Sequence, residues 1–317
     1  MLSFLTRRLI ESAVVLLIMS FVVYGLMGLM PGDPIDLMVT SNPNLTPDDL
    51  ARQKVLYGLD RPLLSRYGAW LGAAMQGDFG YSRLHLVPVL DVLGPRLANT
   101  LALMGASLAC AFAIALPAGV FAAAKPRSRR AGMINLAAFA GISMPPFWLA
   151  ILLIILFAVE LRILPASGMV TSGATGLGDR LYYLVLPVMT LTLATVGAQL
   201  RYVRASMIEA LRQDYIRTAR AKGVGGLQLL YGHALRNAMI PIVTILALDF
   251  GTLFSGALIT ETMFAYLGMG KTIYDAILGS DYNLAMVGLL LATMTVLLAN
   301  LAADIAYAVL DPRIRLR

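Results

Sequence analysis

The chain has 317 residues, of which 59% are hydrophobic and only 14% charged, with a mean hydropathy of +0.77. Soluble domains carry roughly 25% charged residues, so this composition excludes an ordinary water-soluble globule. The net charge of +7 does not indicate nucleic acid, because the basic residues fall in short clusters beside apolar stretches, where positive charge marks cytoplasmic flanks.

A helix crossing about 30 Å of hydrocarbon needs roughly 20 mainly apolar residues. Six stretches qualify: Leu9 to Met30, Ala98 to Ala124, Ala131 to Val159, Tyr182 to Val203, Ala238 to Thr260 and Leu284 to Leu310. The first follows Arg7 and Arg8, runs for about 22 residues and lacks a small-residue cleavage site, so it reads as a retained anchor. A single cysteine, Cys110 in the second stretch, leaves no intrachain disulfide and no cysteine metal site, and is expected to be a buried thiol. With the amino terminus inside, 16 of the 25 Lys and Arg residues lie on the cytoplasmic side. The short outer loops hold only Arg162, Arg180 and Lys271, so both termini are assigned to the cytoplasm.

The loop from Pro31 to Leu97 is too long for a bare connection. Thr46, Pro47 and Asp49 signal a helix start and Gly58 its stop; a second short helix is predicted from Leu63 to Met75, ending near Gly77. Residues 31–97 thus read as an extracytoplasmic subdomain that docks a partner, covers a pore mouth or caps the packing. Further along, Pro117, Pro145, Pro146, Pro187 and Pro241 punctuate the spans. Each removes a helical hydrogen bond and favours a kink, which suits a moving pore and also occurs in static bundles.

Between the fourth and fifth spans, residues 201–241 form a cytoplasmic segment that is neither linker nor domain. Helical spacing continues through Val203, Met207 and Leu211, and Tyr215 to Lys222 supplies one more amphipathic piece that Gly223 terminates. Ala219 and Ala221 permit close approach, while Arg217, Arg220 and Lys222 take polar positions. Such a helix fits a groove on a soluble partner or rests on anionic headgroups.

Asp249 and Asp304 fall at membrane depth, where a carboxylate costs roughly 2.5 to 3.5 kcal/mol unless paired or hydrated. They should face the bundle interior, bonded to a neighbouring helix or to a partner subunit, or serving a proton-coupled secondary transporter. Glu261, Tyr274, Asp275 and Asp281 surround the last outer loop with Tyr282, either as solvated loop residues or as an outer gate or binding-protein contact. Gly268 to Thr272 resembles the end of a phosphate loop, but that motif needs glycine where Ala265 stands. Only two histidines occur, His85 and His233, on opposite predicted sides, which leaves no histidine metal pair for a membrane enzyme.

Tyr215, Thr218, Ala219, Arg220, Ala221, Lys222 and Gly223 match a Y-x-x-T-A-R-A-K-G run. That run resembles the cytoplasmic EAA loop of ABC importer permeases in its dipeptide and oligopeptide (and nickel) permease variant, of the first-permease, B-type subunit. Arg217-Thr218-Ala219 stands where the general loop has Glu-Ala-Ala, and its later Leu-Pro is missing. The resemblance extends through Met30 to Pro34, Gly58 to Pro62, Gly77 to Ser82, Ser143 to Trp148, Leu164 to Gly168 and Asp311 to Arg313; Ala265 to Gly268 departs from the family's Trp-Pro-Gly turn.

The resemblance implies an all-α integral membrane fold: one permease domain over residues 1–317, about six transmembrane helices, a long extracytoplasmic loop after the first and a coupling helix between the fourth and fifth. It implies half of a translocation pathway, with Asp249, Asp304, Pro145 and Pro146 as candidate pathway residues and residues 215 and 217–223 as the ATPase-coupling set. The implied partners are a second homologous permease, one or two cytoplasmic ATPases holding ATP and Mg, an extracytoplasmic substrate-binding protein and lipid, in a bacterial inner membrane. Peptides are the implied cargo, although the family also moves nickel complexes, glutathione, opines and oligosaccharides. No metal or cofactor is expected on this chain itself.

Overall fold

The structure is a computed structural model that describes residues 2–29, 61–173 and 176–310. The signals at residues 46–58, the motif from Met30 to Pro34, most of that from Gly58 to Pro62, and Asp311 to Arg313 lie outside the described residues. The described chain is helical: α1 (Leu2–Gly28), α2 (Leu63–Met75), α3 (Val89–Ala124), α4 (Arg129–Ser143), α5 (Pro146–Leu153), α6 (Leu177–Leu211), α7 (Asp214–Ala221), α8 (Leu235–Met263), α9 (Met269–Leu278) and α10 (Tyr282–Leu310). Wider π-helical turns extend α5 over Ile154–Glu160 and lead into α8 over Gln228–Ala234. Among the described residues the sole strand-like contact is an isolated bridge between Tyr81 and Pro88.

Among the described residues, five helices are long and apolar enough to cross a membrane, and a sixth crossing arises if α4 and α5 count as one broken span. The sequence read Ala131 to Val159 as one span, whereas α4 and α5 meet at 103°. Pro145 and Pro146 explain the break. Each lacks an amide donor, and a residue before proline is pushed out of the α region. Met144 (ψ 124°) and Pro145 (ψ 137°) are accordingly extended, and Pro146 restarts the helix at its first turn. Pro187 and Pro241, by contrast, lie inside continuous helices.

The chain divides into two compact units: residues 98–271 with 296–317, and residues 2–97 with 272–295. In the first, α6 packs against α4, α5 and α8. The α4 to α6 crossing is close because it is lined by small residues: a Cβ on Gly197 would lie 2.4 Å from the Ala138 carbonyl oxygen. Helices in lipid associate through such backbone approach, since apolar burial brings little where the solvent is also apolar. One core gathers Leu103, Met104, Leu149, Leu186, Phe264 and Tyr266; another gathers Val120, Val203, Met207, Ile216, Leu229 and Ile242. In the second unit α1 is largely bare, with only Ser20 and Val23 buried among its described residues. Cys110, expected to be buried, is exposed on α3. An apolar run facing lipid does not have to be covered by protein, so apolarity alone misplaced it.

Candidate functional site

The segment after α6 is built by a stop, a short helix and a second stop. Arg212 and Gln213 leave the helical path, and α7 runs from Asp214 to Ala221 with an acidic first turn and Arg220 in its last, complementing the helix dipole. Gly223 then takes φ +81°, as expected from the sequence. Its N–H donates to the Arg220 carbonyl at 2.9 Å and the Val224 N–H to that of Ala219 at 3.2 Å, the paired bonds of a Schellman stop. Glycine adopts this backbone without strain, and a β-branched residue does not.

Two faces of α7 follow from its spacing. Ile216 and Ala219 are buried, Ile216 to 1% exposure, against Val203, Met207, Leu229 and Ala234 of the same chain. Tyr215, Arg217, Thr218, Arg220, Ala221 and Lys222 face outward. The two alanines grouped together in the sequence therefore separate: the smallness of Ala219 is explained by packing inside this chain, and Ala221 alone lies on the open side. The Arg217–Asp214 contact, 3.3 Å on that exposed face, adds little stability. Beside α7, Arg204, Ile208, Glu209, Arg212 and Gln213 line an open groove of about 470 Å³.

The intramembrane carboxylates are both half-buried, Asp249 on α8 and Asp304 on α10. Asp249 points toward the side-chain amide of Gln199 on α6, itself 2% exposed. Pro145 is exposed and Pro146 half-buried at the α4 to α5 break.

The residues assigned to the last outer loop divide in environment. Tyr274 and Asp275 are exposed, whereas Glu261 and Asp281 are buried, Glu261 completely. The Glu261 carboxylate accepts hydrogen bonds from the Thr100 hydroxyl and, at 2.9 Å, from the Lys271 N–H, with Gly270 N–H adding a third. Gly270 and Lys271 open α9, so this carboxylate meets the positive end of a helix dipole. Thr100 Oγ1 accepts from the Met269 N–H at 2.7 Å, which ties a third amide of that turn to the same knot. A Cβ on Gly268 would overlap the Glu261 carboxylate, at 2.0 Å from an oxygen. Neighbouring bonds run from the Asn99 amide to the Leu267 carbonyl (2.8 Å), from the Tyr266 hydroxyl to the Asn99 carbonyl (3.2 Å) and from the Gly168 N–H to the Phe264 carbonyl (2.8 Å). Burial, with the Glu261 charge behind it, pushes the Tyr266 hydroxyl up to about 12, so it stays a neutral donor. The glycines from 268 to 270 serve this carboxylate, and the amide donors of a would-be phosphate loop are already engaged.

Asp281 does a parallel task in the other unit. Its carboxylate caps α10 through the Leu284 N–H (3.2 Å) and accepts from the Ser82 hydroxyl (2.6 Å) and the Leu84 N–H (3.0 Å). An aspartate just before an apolar helical run was a readable cap signal. Its partner Ser82, 199 residues away, was not, nor was the Thr100 to Glu261 pair. Among the described residues, no group of three or more His, Cys, Asp and Glu side chains gathers to hold a metal ion.

Long apolar helices and a short two-faced helix between α6 and α8 define a helical membrane subunit. The family model for the inner membrane component of binding-protein-dependent transport systems matches residues 115–316, and the model for the N-terminal part of that component matches residues 1–104. The chain belongs to this family of permease subunits. It is 37% identical to a putative peptide permease protein of Brucella ovis and 36% identical to an oligopeptide transport system permease of Bacillus subtilis; in both cases 99% of each chain is covered. Among solved structures, the inward-facing MetNI methionine ABC transporter shares the fold at a TM-score of 0.59 and 20% identity, over 70% of this chain and 97% of that one. As a permease subunit of an ABC importer, the chain does not itself hydrolyse ATP.

Proposed function

We propose that this chain forms half of the translocation pathway of a di- or oligopeptide importer in a bacterial inner membrane. It pairs with a second homologous permease, receives cargo from a separate binding protein and is driven by one or two ATPases that hold ATP and Mg. Near-complete alignment with peptide permeases supports the cargo class. In this reading both termini and α7 are cytoplasmic, Asp249 and Asp304 lie along the pathway, and Pro145 and Pro146 form its bend. The loop at 31–97, with Tyr274 and Asp275, belongs to the outer side where the binding protein docks, and Glu261 and Asp281 hold that side in shape.

The observation that carries the coupling role is the two-faced α7, rooted in the core by Ile216 and Ala219 and open along Tyr215, Arg217, Ala221 and Lys222. A subunit without an ATPase receives its power stroke mechanically, and a short helix rooted on one face can transmit it from a partner gripping the other. The two alanines give opposite expectations. Ala221→Trp should leave insertion and stability unchanged while lowering ATPase recovery with the purified complex in lipid. Ala219→Glu should destabilise this chain first, by burying an unpaired charge, whether or not the ATPase is present. Parental ATPase recovery and transport by Ala221→Trp would show that this face is not the docking surface.

A further inference from the structure

Helix α2 carries a surface that the transport reading does not use. Although the sequence places it in an extracytoplasmic loop, its contacts are with α1 at membrane depth. The Tyr67 hydroxyl lies 2.7 Å from the Ser20 hydroxyl and 3.4 Å from the Leu17 carbonyl. Ser20 is eight residues before the end of α1 at Gly28, about 12 Å inside that end at ~1.5 Å per residue. The Tyr67 ring packs edge-on to Phe21 (5.2 Å) and Tyr24 (5.6 Å), and Trp70 sits 6.0 Å from Tyr24. Four aromatic rings thus gather toward one end of a span, and Tyr and Trp are favoured near the boundary of hydrocarbon and headgroups.

The helical period of 3.6 residues sorts α2 into three faces. Leu63, Tyr67, Trp70 and Ala74 turn toward α1. Leu64, Gly68, Leu71 and Met75 form a second face that is wholly apolar, with Leu64 70% and Met75 82% exposed. Ser65, Arg66, Gly72 and Gln76 fall on the remaining side, which holds the only charge of the helix. On the side of α1 turned away from Tyr67, Ile18, Val22 and Leu26 are exposed and, in a spanning helix, meet lipid. We propose that α2 is an interfacial helix whose Leu64 to Met75 face is seated among the acyl chains of the leaflet in which α1 ends, its Ser65 to Gln76 side turned to water. The depth of the contact along α1 and the absence of charge on that face select lipid over a soluble partner.

The test uses the assembled complex in liposomes, in a Cys110→Ser background, with nitroxide labels on Leu64→Cys, Met75→Cys, Ser65→Cys and Gln76→Cys. Collisions with oxygen, which concentrates in acyl chains, should exceed collisions with an aqueous nickel chelate at 64 and 75. The ratio should reverse at 65 and 76. Nickel dominance at all four positions would make α2 part of a solvated subdomain, and inaccessibility of 64 and 75 to both reagents would place a protein partner on the face; either overturns the proposal. A second reading needs no label. Trp148→Phe leaves Trp70 as the only tryptophan of this chain, and in a complex whose partner subunits carry Phe in place of Trp its fluorescence should be quenched more by lipid brominated near the headgroup than by lipid brominated at the chain end. Stronger quenching by aqueous acrylamide than by either lipid would contradict it.

Discussion

At the scale of single residues, the Glu261 carboxylate does what no surface residue could. It is fully desolvated, yet every donor around it is complementary: the Thr100 hydroxyl and the amides of Gly270 and Lys271. Removing the carboxylate strands those donors, at about 1 to 3 kcal/mol for each group left unsatisfied. Glu261→Ala should therefore lower the thermal unfolding temperature of the detergent-solubilised chain sharply. Glu261→Gln should cost much less. Its amide oxygen can accept from Gly270 and Lys271 and its amide nitrogen can donate to Thr100 Oγ1, so the losses are the acceptor of the Thr100 hydroxyl alone and the charge against the α9 dipole, the latter about 1 kcal/mol. Equal loss from both substitutions would contradict the hydrogen-bond account of the knot, and no loss from either would show that it does not hold this connection together.

At the scale of elements, α7 depends on how it ends. Gly223 at φ +81° permits the two Schellman bonds that turn the chain toward the π-helical turn at Gln228–Ala234, and so fixes α7 against the base of α8. Gly223→Val should leave membrane insertion intact and abolish substrate-stimulated ATP hydrolysis and uptake. Normal ATPase recovery with hydrolysis uncoupled from uptake would place the defect in force transmission, whereas parental uptake would remove α7 from the coupling path. The legibility of this element has a local cause. Its amphipathic spacing and its glycine stop are written within ten residues of one another, so the sequence yields both its limits and its left-handed terminus. The division of its alanines depends on α7 folding back onto Met207 and Leu229 of the flanking helical segments, a tertiary contact that the period of α7 itself does not encode, and was not legible. The same holds for the α4 to α5 bend: Pro145 and Pro146 announce a break, but its 103° is set by packing against α6 and α8. Knots such as Thr100 with Glu261 and Ser82 with Asp281 join residues more than 150 positions apart, and no periodicity encodes them.

At the scale of the whole molecule, sidedness and energy source carry the functional reading. In the proposed topology, which rests on the asymmetry of Lys and Arg, α7 and both termini are inside. Single cysteines in a Cys110→Ser background, exposed to an impermeant thiol reagent added outside, should label at Ser41 and Ser172 and stay silent at Arg127. Arg127 is preferable to its neighbour because the Ser128 hydroxyl caps α4 by accepting from the Ala131 N–H at 3.1 Å, and replacing a capping serine costs about 1 kcal/mol. Labelling of intact cells at 127 would invert the topology and move α7 to the wrong face for an ATPase.

The central claim is that transport through this subunit is powered by ATP on separate partners and not by protons passing Asp249 and Asp304. The most direct measurement is peptide uptake by the complete complex in proteoliposomes, with ATP held constant on the α7 side, binding protein on the other and the proton gradient collapsed by a protonophore. The account predicts uptake that continues under the protonophore, stops when ATP is withdrawn, and keeps both behaviours in Asp249→Asn even if its rate falls. Uptake driven by an imposed pH gradient without ATP, and abolished by the protonophore while ATP is maintained, would contradict it.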